Sequence, residues 1–76
     1  MLQIGDKLTL KGKTVKGKNR INRSGSQVFE IGKFSWSGDD ILVRSIKNQS
    51  WEMFWMHNPD KPGTDPNMEI VQDAKN

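Results

Sequence analysis

Residues 11–25 read KGKTVKGKNRINRSG, and six of these fifteen positions are Lys or Arg with no acid among them. How this stretch folds decides the architecture of the whole chain. In extended chain, side chains alternate sides. Lys16, Lys18 and Arg20 then share one face, and Val15 and Ile21 share the other. That alternation predicts a basic outer face over a thin apolar inner one. Gly12 and Gly17 interrupt a regular strand and predict a bulge or an open arm. Ser24-Gly25-Ser26 reads as a hairpin turn. The expectation is an exposed extended loop or hairpin.

Strand signals flank it on both sides. Leu8-Thr9-Leu10 alternates apolar and polar after the turn residues Gly5-Asp6. Residues 27–36 (QVFEIGKFSW) are rich in β-branched and aromatic side chains, with Gly32 as a bend. Ser37-Gly38-Asp39-Asp40 is a turn, residues 41–46 (ILVRSI) a strand, residues 47–50 (KNQS) a turn and residues 51–56 (WEMFWM) a strand. Residues 57–67 hold all three prolines and read as a loop. Residues 68–71 (MEIV) read as a short closing strand, and the polar tail 72–76 is expected to fray. No segment carries a helical apolar period over ten or more residues. The reading is an all-β fold, a small barrel of five to six short antiparallel strands, with closure removing the exposed edges.

Seventy-six residues make one domain, 1–76, close to the lower limit for independent folding. The chain has no Cys, which excludes disulfide staples, thiolate chemistry and Cys-based zinc sites. No apolar run approaches the ~20 residues needed to cross a bilayer, and the N-terminal MLQIGDKLTL lacks the features of a signal peptide. A cytoplasmic protein with no membrane partner is the expectation. The net charge of +3 is unevenly spread. Residues 1–33 carry +6 and residues 34–76 carry −3. Such a dipolar molecule steers an anionic partner to its basic side.

The order of features resembles small SH3-like β-barrel domains. IGDKLTL resembles their first strand, and the basic stretch stands where their first, extended loop does. SGDD and KNQS resemble the short hairpin turns, WEMFWM an aromatic-bearing strand, and the DPN before MEIV the turn preceding the last strand. The resemblance implies an SH3-like barrel and covers most of the chain; an OB-like barrel is the alternative fold, though a chain this short leaves little room for its usual helix. Such folds host peptide binders, nucleic-acid binders and structural domains, so the resemblance selects no function. An ALYDY-like pattern and Tyr are both absent, which argues against recognition of proline-rich peptides. The segment GKNRINRSG also resembles basic segments of small phage-encoded proteins of unknown function.

The sequence predicts no catalytic residue, no metal site and no cofactor, and hence not an enzyme. His57 is the single imidazole and has no nucleophile placed beside it. Asp39 and Asp40 are adjacent and read as turn residues. Asp60 and Asp65 flank Gly63 without the spacing or final Glu of an EF-hand loop. Binding carries more signal. Lys11, Lys13, Lys16, Lys18, Arg20 and Arg23 suit phosphates, and Asn19 and Asn22 suit phosphate, sugar or base edges, with DNA and RNA both open. Against this stands a merely solvated, solubilising face. In WEMFWM, Trp51, Met53 and Trp55 share one face, and Phe54 and Met56 the other with Glu52. A half-buried strand shows one apolar face, so Trp51, Met53, Phe54, Trp55 and Met56 are candidates for a protein-interaction or homodimer patch. Trp36, Trp51 and Trp55 are also candidate stacking platforms for bases.

Overall fold

The computed structural model describes residues 1–47 and 53–73. Its elements run β1 (Lys7–Gly12), α1 (Val15–Ser24), β2 (Val28–Phe34), β3 (Asp40–Ser45), β4 (Met53–His57) and β5 (Met68–Asp73). The strands form one antiparallel sheet in the order β4-β3-β2-β1-β5. One side of every strand faces the core. Leu8 and Leu10, Phe29 and Ile31, Ile41 and Val43, Phe54 and Met56, and Met68 are buried there. Phe29 and Phe54 meet edge to face at 5.4 Å. The register shifts between Ile31 and Lys33, which makes Gly32 the extra residue of a bulge and returns Phe34 to the core side.

Two expectations are corrected. The first is the extended basic arm: residues 15–24 are a ten-residue helix, so the fold is mostly β and not all-β. Thr14 is its N-cap, and its Oγ1 accepts the Gly17 N–H at 3.1 Å. Gly25, placed in a hairpin turn by the sequence reading, is the C-cap at φ 71°, and its N–H reaches Asn22 O. The helix buries only Gly17 and Ser24, with Ile21 partly buried against the core. With one apolar side chain on its inner face, it shows no apolar stripe to read.

Backbone proximity holds this helix in place. A Cβ on Gly17 would lie 2.1 Å from Asn67 O, and one on Gly12 would lie 2.4 Å from Lys18 N. The two glycines of the KGK doublets thus let β1, the helix and the loop before β5 pack backbone to backbone. Lys13 N–H donates to Asn67 O at 2.8 Å, and Thr14 Oγ1 donates to Asn67 Oδ1 at 2.9 Å. At the other end the Ser24 hydroxyl is buried 2.6 Å from both Ile21 O and Ser26 O, and Ser45 Oγ donates to Ser24 O at 3.0 Å.

The second correction concerns closure. The five strands make an open sheet with β4 and β5 at its edges, not a closed barrel. The loop at 58–67 lies against both edges, and a groove of 310 Å³ is lined by Met56 and His57 from one and Met68 and Ile70 from the other. Here the Asp65 carboxylate does part of a ladder's work. It accepts the His57 N–H at 2.9 Å, the Asn67 N–H at 2.9 Å and the Met68 N–H at 2.8 Å. The edge-strand donors among them, His57 and Met68, are thus satisfied by a side chain, so strand-to-strand closure is not needed for them. Of the expected fraying tail, Gln72 and Asp73 belong to β5, and residues 74–76 lie outside the described residues. So do 48–50 of the expected turn at 47–50.

Candidate nucleic-acid interface

Helical geometry redistributes the eight residues that the sequence grouped as a nucleic-acid site. At 3.6 residues per turn, Gly17, Ile21 and Ser24 face inward. Opposite them, Val15, Asn19 and Asn22 recur at i, i+4 and i+7 and form the exposed crest. Lys16, Arg20 and Arg23 repeat the same spacing along one shoulder, and Lys18 occupies the other. All are exposed except Arg20, which is half-buried with its guanidinium 5.0 Å from the centre of the Phe54 ring. Arg20 is therefore in part a lid on the core.

Two cations do not join this surface. Lys11 is on β1 with its side chain on the outer side of the sheet, opposite Glu69 of β5. Lys13 precedes the helix, and its Nζ donates to Asp65 O at 2.7 Å. The charge cluster of the sequence is thus divided between the helix face, the turn before it and the far side of the sheet.

Two of the four helix cations, Lys16 and Lys18, stand against the helix dipole. Its first turn holds Lys16 and Lys18 and no acid, while Arg23 stands in the last turn. The N-terminal end of a helix is its positive end. No described residue forms an ion pair with Lys16 or Lys18. The side-chain amides of Asn19 and Asn22 are likewise unengaged among the described residues.

The aromatic candidates separate by sheet face. Phe54 and Met56 point into the core and are withdrawn from any contact surface, while Met53 and Trp55 lie outward at 45% exposure each. On this outer face Trp55 is paired with the half-buried Leu42, and Lys33 Nζ lies 5.8 Å from the centre of its ring. Beside them Arg44 and Glu30 form an ion pair at 3.3 Å. Trp36 is fully exposed in the turn between β2 and β3, and Trp51 lies outside the described residues. Neither Trp36 nor Trp55 lies on the helix.

His57 is used structurally. Its backbone N–H is held by Asp65, and its ring Nε2 is 3.1 Å from Lys61 O. Asp60 Oδ2 accepts the Leu2 N–H at 2.7 Å. Asp39 and Asp40 lie at the turn into β3, where their N–H groups donate to Ser37 Oγ and Ser35 Oγ. Among the described residues no group of three or more His, Cys, Asp or Glu could hold a metal ion, and no helix is long and apolar enough to cross a membrane.

What the extended reading missed is the crest of Asn19 and Asn22. The signal that could have found it was the pair of caps, Thr14 and Gly25, which bracket a helix-length segment. Comparison of the chain with protein-family models, with curated proteins and with solved structures gives no match.

Proposed function

We propose that this protein is a non-enzymatic module that binds nucleic acid through the outer face of α1, mainly by phosphate contacts. The placement of Lys16 and Lys18 carries the reading. Two exposed lysines in the first turn oppose the macrodipole and weaken the helix that bears them. Stability supplies no reason for them there, whereas a polyanion draped over the helix does. Asn19 and Asn22 between the shoulders add neutral hydrogen-bonding capacity to the same face. For the fold, we read the open sheet as a variant of the SH3-like barrel in which α1 takes the place of the first long loop. What supports this over an OB-like barrel is the sheet order, a meander from β1 to β4 with β5 returning beside β1, where an OB-fold is a Greek key.

A second reading has its own observation. Met53 and Trp55 sit half-exposed on an edge strand, which suits a protein partner or a second copy of this chain. Salt separates the two. Fluorescence anisotropy with a generic single strand and a generic duplex, titrated with salt, is the test. About four engaged phosphates give a log–log slope of roughly −3 to −4. Replacing Lys16 and Lys18 together by Ala should flatten it by about two units with the fold intact. Arg20 is left in place because it packs on Phe54. Undetectable binding to both probes at low salt defeats the proposal and leaves the sheet-face reading.

A further inference from the structure

We propose that α1 enters the major groove of duplex DNA, with Asn19 and Asn22 reading adenine edges while Lys16 and Lys18 hold phosphates on either side. This rests on the nucleic-acid reading above and goes further, to the form of nucleic acid and to sequence readout. A helix with its side chains is about 10–12 Å across, and the B-form major groove is about 12 Å wide. The exposed side of α1 has the polarity such a fit requires. Val15 and two uncharged amides occupy the crest, which meets the groove floor, and cations occupy the shoulders, which meet the walls.

The crest chemistry is specific. The carboxamide of Asn offers one acceptor and two donors, and pairs bidentately with N6 and N7 of adenine. Asn19 and Asn22 are three residues apart, a rise of about 4.5 Å along the helix axis. Successive bases of one strand are about 3.4 Å apart, so the two amides address neighbouring base pairs. Both side chains are exposed and held by no other described residue. The helix beneath them is pinned, by Gly12, Gly17 and Asn67 at one end and by Ser24 and Ser45 at the other. It therefore presents the amides from a rigid support.

Other forms of nucleic acid fit less well. A-form RNA has a deep, narrow major groove that side chains do not read. Single-strand binders interleave their cations with aromatic stacking platforms. Among the described residues the helix face has none: Trp55 is on the outer side of the sheet and Trp36 is in the β2–β3 turn.

The test selects from a random duplex library with the full chain at fixed salt, followed by anisotropy on the enriched sequences. Expected is enrichment of adenine at two neighbouring positions. Each Asn pairing should contribute roughly 5- to 150-fold discrimination against the wrong base. The double variant N19A/N22A should lose the enrichment and keep the salt slope. The variant K16A/K18A should weaken all sequences alike. An RNA duplex of the selected sequence should bind more weakly than the DNA. Thermal melts check folding, and exposed Asn→Ala favours a helix, so loss of readout is not loss of fold. Duplex binding without enrichment, enrichment that survives N19A/N22A, or tighter binding to single strands overturns this inference and leaves the phosphate-binding reading standing. No binding to any nucleic acid overturns both.

Discussion

Gly17→Ala tests the scaffold on which the helix face depends, and its sign is diagnostic. By intrinsic propensity alone, Ala in a helix is about 1 kcal/mol better than Gly. The tertiary structure reverses that expectation. The new methyl would lie 2.1 Å from Asn67 O and 3.1 Å from Asn67 C, both backbone atoms. Neither atom can rotate away, so the helix or the loop before β5 must move. Overpacking of this kind costs about 1–3 kcal/mol. The movement also strains the Lys13 N–H to Asn67 O bond at 2.8 Å and the Thr14 to Asn67 bond at 2.9 Å. Each contributes about 1 kcal/mol. After the propensity gain, the net destabilisation is about 2–4 kcal/mol. For a domain of 76 residues, one kcal/mol moves Tm by about 4–8 °C, so a drop of roughly 10 °C or more is expected. Thermal and urea melts followed by circular dichroism measure it. Gly25→Ala is the control: it stands at φ 71° with nothing within 4 Å of the added methyl. It should cost only the left-handed conformation, about 1–2 kcal/mol. A Gly17→Ala variant as stable as the parent would refute the backbone contact between helix and loop.

Four further substitutions probe the surrounding structure. Asp65→Ala removes the acceptor of three backbone N–H groups, those of His57 and Met68 in the two edge strands and that of Asn67 in the loop before β5. A loss of about 2–4 kcal/mol in urea unfolding is expected, with faster amide exchange at His57 and Met68. Thr14→Ala removes the N-cap and the bond to Asn67, which should cost about 1–2 kcal/mol and lower helical ellipticity. Phe54→Ala opens the core and should cost about 3–5 kcal/mol. Trp55→Ala, on the half-exposed outer face, should cost less than half as much, and equal losses from the two would contradict the assigned strand faces.

The edge strand β4 is covered by the loop at 58–67 at its His57 end, and its own residues add no further protection. Edge strands are usually blunted by charge, proline or a bulge. β4 (MFWMH) has no lysine, no carboxylate and no proline. Sedimentation over a range of concentrations reports whether that edge pairs with a second copy. Trp55→Lys would place a charge there and suppress such pairing.

The strands were legible in the sequence because their information is local. Leu8 and Leu10 alternate with Thr9, and Phe29 and Ile31 with Glu30, and period-two alternation needs nothing from the rest of the chain; Ile41-Leu42-Val43 is instead a short apolar run after a turn signal. The concentration of cations before residue 25 was equally plain. Strand β4 was legible as a strand but not in its orientation. Both of its faces are apolar, and only packing against Phe29 decides that Phe54 turns inward and Trp55 outward. The helix required the tertiary structure. Its buried face is Gly17, Ile21 and Ser24, which leaves almost no apolar period to detect. Its N-terminal end is fastened by partners 52 and 53 positions away, Asp65 and Asn67. Local propensity disfavours Gly17 in a helix, and long-range backbone contact requires it. That contact turns a run of lysines and asparagines from an extended arm into a helix with an amide crest and basic shoulders, while the strand alternation of β1 sets Lys11 on the opposite side of the sheet.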